Sequence, residues 1–167
     1  MTGSYIRCIK AATMKKTVFI LTLLTILPFM VKAQSPLNSN PDSVLGIFLV
    51  PDDGNDSKVE FTKNADGTYD CTIIWMENPI DPSTGKPWLD MQNPDKSQRG
   101  KPCLGLQIIK GLKYDSEKKC WGGTKVYDPN RGIKANVRIV FSSDGRLCLK
   151  GTILGIGETA YWVRSQR

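Results

Sequence analysis

The 167-residue chain contains no histidine. That single absence removes an imidazole general base, a Ser-His nucleophile pair and a histidine metal site. Cysteine is sparse, and Cys71, Cys103, Cys120 and Cys148 are spaced in no zinc pattern. Long hydrophobic runs are missing too. The longest, Val18 to Val31, covers 14 residues and is interrupted by Thr22, Thr25 and Pro28. A bilayer span needs roughly 20. Beyond residue 33 no stretch carries the 3.6-residue apolar period of a helix. Imidazole chemistry, zinc, a membrane-spanning helix and a helical fold are therefore not expected.

Residues 1–33 lack acidic side chains altogether and carry Arg7, Lys10, Lys15, Lys16 and Lys32. Lys15-Lys16 stands directly before the short apolar run, which ends in Val31-Lys32-Ala33. A basic start, a short apolar middle and a small-residue exit form the pattern of a cleavable signal peptide. Cleavage is expected after Ala33, leaving Gln34 first, and Met14 is the cleaner start because the lysine pair follows it at once. No cysteine stands at that point to take a lipid, so the product is expected to be exported and soluble, periplasmic or secreted. Five of the 23 basic residues leave with the leader. The remaining 18 face 16 acidic ones, a net charge of only +2. No basic stripe for nucleic acid is left.

The 134 residues that remain suit one domain with a real core. Residues 34–43 are polar and rich in Pro, Ser and Asn, and read as a flexible lead-in to a domain over 44–167. From there strand and turn alternate. Val44 to Val50 precedes a turn at Pro51-Asp52-Asp53-Gly54. Ser57 to Lys63 puts Val59 and Phe61 on one face, with the period of 2 that marks a half-buried strand. Asn64-Ala65-Asp66-Gly67 is a hairpin turn. In the next strand Tyr69, Cys71, Ile73 and Trp75 are expected to share a face. Further strands are expected over 104–109, 112–114, 121–127, 133–141, 147–153 and 159–164. Their faces are Val137, Ile139, Phe141; Leu147, Leu149, Gly151, Ile153; and Ala160, Trp162, Arg164. Eight or nine short strands with turns between neighbours predict an all-β, antiparallel up-and-down barrel. Such a barrel is either filled by side chains or holds one small ligand.

Residues 78–103 break this rhythm. They hold Pro79, Pro82, Pro87, Pro94 and Pro102, five of the nine prolines beyond the leader. Proline removes a ladder donor, so these 26 residues read as an irregular connection, a length associated with function or disorder. Trp88, Leu89 and Met91 within it argue for packing.

Several stretches together resemble the bacterial domain-of-unknown-function family 2147. They are Asp90-Met91-Gln92-Asn93-Pro94-Asp95; Arg99-Gly100-Lys101-Pro102 with Leu104-Gly105-Leu106; Gly122-Gly123 leading to Val126-Tyr127-Asp128-Pro129 and Gly132; and Lys150-Gly151 with Trp162 and Arg164. The resemblance covers about residues 44–164. It implies a secreted, lipocalin-like barrel and no established activity. Gly46-Ile47-Phe48 stands where such barrels open with Gly-x-Trp, and Arg164 where they stack an arginine on that ring. The chain departs from the family pattern at 132–136, which lack an aromatic after Gly132, and at 151–160. Those departures alter any site these positions line.

The candidate site residues each carry two readings. Trp75, Trp88, Trp121, Trp162, Phe48 and Tyr127 either line an apolar cavity or fill the barrel. Asp90, Asn93, Asp95 and Arg99 form either a polar rim, with Arg99 gripping a carboxylate or phosphate, or a loop locked on itself. Asp81 and Asp128 each open an Asp-Pro-x-x-Gly segment and are expected to cap turns rather than catalyse. Phe48, Trp162 and Arg164 are expected to be structural. The four cysteines form disulfides, with three possible pairings, or stay as buried thiols. Asp52-Asp53-Gly54-Asn55-Asp56 lacks the ligand order of an EF-hand and reads as a solvated turn. No metal and no cofactor are expected. The leading expectation is a non-enzymatic barrel binding a small apolar or amphipathic ligand, with 78–103 over one end. The alternatives are a solid-barrel interaction domain of the cell envelope, and a carboxylate-dependent hydrolase, which needs two aspartates converging in a cleft.

Overall fold

The computed structural model describes residues 35–166. The expected leader, its cleavage point and Gln34 lie outside them. Ten strands follow in order: β1 (Gly46–Val50), β2 (Ser57–Lys63), β3 (Tyr69–Met76), β4 (Ile80–Asp81), β5 (Lys86–Pro87), β6 (Gln107–Asp115), β7 (Cys120–Asp128), β8 (Ile133–Phe141), β9 (Leu147–Ile153) and β10 (Ile156–Ser165). Eight of them form a closed antiparallel barrel in the circular order β1-β2-β3-β6-β7-β8-β9-β10, with β10 returning to β1. Strands β4 and β5 make a separate two-stranded sheet inside the proline-rich connection. Closure pairs every edge, so no barrel strand is left as a template for aggregation.

The expected strands at 104–109 and 112–114 are one element, β6. Gly111 adopts φ +66° midway along it, and its N–H turns aside to Asp70 Oδ1 at 2.8 Å. A glycine in that conformation bends a strand without ending it.

The 35–43 stretch is not a flexible lead-in. It folds into two 3-10 turns, Pro36–Ser39 and Pro41–Val44, that close one end of the barrel. The Asn38 side chain donates to Phe141 O at 2.9 Å and accepts from Phe141 N–H at 2.6 Å, as a paired strand residue would. Tyr114 Oη donates to Asn38 O at 2.7 Å, and Trp121 Nε1 donates to Pro41 O at 2.9 Å. Asp42 accepts from Lys63 Nζ at 2.7 Å and Tyr69 Oη at 2.6 Å. Its polar side chains read as solvent-loving in the sequence, yet they satisfy backbone and ring donors at the barrel floor.

Above this floor the core is aromatic. Phe48 meets Phe61 edge-on at 5.8 Å between centroids, and Trp121 meets Phe141 in the same manner at 5.8 Å. Such pairs contribute about 0.5–1.5 kcal/mol each beyond burial. The Arg164 guanidinium lies 4.8 Å from the Phe48 ring centroid and donates to Leu45 O and Ser43 O. It thereby ties the closing pair β1–β10 to the turn before β1.

Candidate functional site

Along four of the barrel strands the inward side chains shrink from the closed end toward the middle of the barrel. On β8 they run Phe141, Ile139, Val137, Ala135; on β9 Leu147, Leu149, Gly151; on β2 Phe61, then Val59; on β10 Trp162, then Ala160. A closed eight-stranded barrel has just enough interior for side chains to fill. Where they are small, it stays hollow. The result is a cavity of about 1330 Å³ open at the end opposite the 3-10 turns. Its inner wall includes Val59, Ile73, Ile108, Leu149 and Trp162. The β1–β2 loop, the 81–92 stretch, the β7–β8 turn and the β9–β10 hairpin surround its mouth.

The proline-rich connection lies at this mouth. Trp88, Leu89, Met91 and Gln92 line the cavity. Asp90 is fully buried between them, and no lysine or arginine among the described residues pairs with it. A buried carboxylate is tolerated only when its oxygens are hydrogen-bonded. Here Tyr127 Oη donates to Oδ1 at 2.6 Å, and Asn93 Nδ2 donates to Oδ2 at 2.6 Å. The Asp90 N–H donates to Lys101 O. This cluster latches the connection to β7. Burial and the Asp90 bond push the Tyr127 phenol above its ordinary range. Burial, and then Asp90, push the neighbouring Cys103 thiol up to about 11. A second fixing point is Gly132, at φ +66°, where a Cβ would stand 2.0 Å from Gln92 O. Only glycine lets the connection cross the β7–β8 turn so closely.

The polar candidates are mostly spent on the loop itself. Asn93 Oδ1 accepts from Asp95 N–H at 2.9 Å, and Asp95 caps the next turn by accepting from Ser97 N–H and Oγ. Those bonds hold the Asp95 carboxyl below its usual range. Arg99 Nε donates to Asn93 O at 2.8 Å, and Arg99 forms an ion pair with neither Asp90 nor Asp95. Asp128 accepts from the N–H groups of Asn130 and Arg131 and from Arg131 Nε at 2.6 Å. Asp81 accepts from Ser83 and Thr84. Asp95, Asp128 and Asp81 are thus turn caps and Asp90 is a latch. Each of the four carboxylates is engaged by nearby donors, as the turn-capping expectation requires for Asp81 and Asp128.

The aromatic candidates divide. Trp88, Tyr127 and Trp162 line the cavity, whereas Phe48 and Trp121 fill the closed end. Trp75 is a correction: it is 41% exposed on the outer surface, with Lys58 Nζ 5.4 Å from its ring. Val59 faces Ile73 while Lys58 faces Trp75, leaving Ile74 as an extra residue. That bulge inverts the alternation, and Met76 takes the inward place. The cysteines form no disulfide: Cys71, Cys103, Cys120 and Cys148 are all buried free thiols. The solid-barrel expectation fails at the hollow end.

The cavity wall also holds Val59, Ile73, Met76, Ile108, Ala135, Leu149 and Ala160, none of them among the aromatic and polar candidates. The available signal was the fall in side-chain size along inward faces, above all Phe141-Ile139-Val137-Ala135 on β8.

A closed meander of eight strands, plugged at one end and hollow at the other, defines a lipocalin-like barrel. It is similar in fold to protein HP1028 from the human pathogen Helicobacter pylori, described as belonging to the lipocalin family. The TM-score is 0.59 at 24% identity, over 74% of this chain and 83% of that one. A family model described as an uncharacterized protein conserved in bacteria (DUF2147) matches residues 46–164, and the chain belongs to that family. Comparison with curated proteins gave no match.

Proposed function

We propose that this protein is a non-enzymatic carrier or receptor that holds one small apolar or amphipathic ligand inside its barrel. The hollow, apolar-walled half of the barrel carries this reading. A concave, mostly apolar site with a few polar groups at its rim is the usual form of a ligand site. The volume of about 1330 Å³ exceeds what packing voids leave in a protein interior. Native mass spectrometry of the protein purified from an exporting host, followed by solvent extraction, tests it. The expected result is a reproducible extra mass, released on denaturation and recovered as a lipid or small amphiphile. An apo mass together with no displacement of an apolar fluorescent probe by any small amphiphile would count against it.

We propose export as well, on the basic leader, its short apolar run and the exit at Ala33. N-terminal sequencing of the protein recovered outside the cytoplasm is expected to begin at Gln34. An uncleaved chain confined to the cytoplasm would sink that assignment.

A further inference from the structure

The cavity separates apolarity and charge along its depth. The inner wall bears no charged side chain; charge is confined to the mouth, where Asp52, Asp53, Asp81, Asp128 and Glu158 stand against Lys86 and Arg131. Of these two cations Arg131 is already committed, which leaves Lys86 as the lone cation against five carboxylates. Arg131 Nε lies 2.6 Å from Asp128 Oδ2 and its Nη1 lies 2.8 Å from Glu158 Oε2. Asn130 Nδ2 donates to Asp52 Oδ2 at 2.9 Å, so the β1–β2 loop joins the same rim. Arg99, the other basic candidate nearby, is turned to the Asn93 carbonyl. A second kind of feature points the same way. Trp88 lines the mouth half-open to solvent, and among the described residues no basic group lies over its ring, unlike Tyr127 with Lys134. Among aromatic rings an indole is the best partner for an organic cation.

We infer that the preferred ligand is a cationic amphiphile, an amine or quaternary ammonium on an apolar chain, and that carboxylate amphiphiles of equal chain length are disfavoured. This rests on the binding-barrel reading above and adds the head group to it. The apolar chain lies along Val59, Ile73 and Leu149, where burial is driven by area alone. The head stops at the rim, where a net negative field attracts a cation and repels a carboxylate. Because the rim is exposed, the discrimination weakens with added salt.

Three probes with one chain test it: dodecyltrimethylammonium, dodecanol and dodecanoate, each below its micelle concentration, titrated against the purified protein by displacement of an apolar fluorescent dye. The cation is expected to bind roughly tenfold tighter than the carboxylate at low salt, with the alcohol between them and the gap narrowing at high salt. Asp53→Asn with Glu158→Gln is expected to narrow it too, since the pair removes two of the five rim carboxylates and the second change releases Arg131 Nη1, leaving only Asp128 on that guanidinium. Both side chains are exposed, so a fold defect does not confuse the result. Dodecanoate binding as tightly as the cation, or a gap that salt and the double variant leave untouched, overturns the head-group assignment while the barrel reading stands. Displacement by none of the three overturns both.

Discussion

The two halves of the barrel are built from the same eight strands and differ in what each strand carries at its ends. At the closed end Phe48, Phe61, Trp121, Phe141 and Leu147 interlock, and the 3-10 turns seal the floor. At the open end the inward positions hold Val59, Ile73, Ala135 and Ala160, and the side chains leave a cavity of about 1330 Å³. The comparison teaches that fold and function are divided along the barrel axis. Stability is concentrated in the aromatic half, which frees the other half from packing.

The largest contrast lies in truncations. Phe141→Ala is expected to cost about 3–5 kcal/mol, because its neighbours Trp121 and Phe48 cannot collapse into the void. Ile73→Ala, on the cavity wall, removes a side chain that already borders open space, and is expected to cost about 2 kcal/mol, the low end for an isoleucine truncation. Urea unfolding monitored by tryptophan fluorescence measures both. Equal losses would break the division, since the open half would then be packed as tightly as the closed one.

Gly132→Ala tests how the mouth is held. The new Cβ meets the Gln92 carbonyl at 2.0 Å, and φ +66° is unfavourable for alanine. A loss of about 2 kcal/mol or more is expected, accompanied by faster hydrogen exchange around Gln92 and unchanged protection in β8 and β9. Loss of protection in the aromatic half would mean that the two ends are not independent.

Cys103 gives a pH-dependent probe of the same end. Its thiol stays neutral in the folded barrel up to about 11, against 9.0 for a free thiol. A folded value raised above the unfolded one means that the thiol's contribution to stability is fully present below the unfolded value. It is lost as pH rises from 9.0 through about 11. Alkylation at Cys103 is therefore expected to be slow at pH 8 and to accelerate through that window. Because Cys103 lines the cavity, bound ligand is expected to slow it further. Rapid alkylation at pH 8 would show that the latch formed by Asp90, Tyr127 and Asn93 opens freely.

The fold was legible because period-2 alternation and hairpin turns are local signals. Val59 with Phe61, and Val137 with Ile139 and Phe141, placed their strands and faces directly. The floor was not legible, since Asn38 and Asp42 act on Phe141 and Tyr69, partners far along the chain that composition does not reveal. The site was legible only in part. The turn roles of Asp95 and Asp128 followed from loop chemistry, and Trp88 and Tyr127 were marked only as aromatics that either line or fill the barrel, because hollowness is set by small residues opposing one another across the barrel. Whether they oppose one another depends on register, which one extra residue inverts.

Trp75 makes that last point testable with the smallest expected effect. Ile74 is the unpaired residue between the Ile73–Val59 and Trp75–Lys58 pairs, so Trp75 faces solvent across from Lys58. Trp75→Leu removes a half-exposed ring and one cation–π contact at 5.4 Å. The expected change in stability is within about 0.5–1 kcal/mol, with ligand affinity unaltered. Trp162→Leu, on the cavity wall at the same nominal chemistry, is expected to change affinity and to reduce the emission change that a bound probe produces, leaving the part due to Trp88. If Trp75→Leu weakened binding as Trp162→Leu does, the bulge would be absent in solution and the ring would point inward, as uninterrupted alternation along β3 requires.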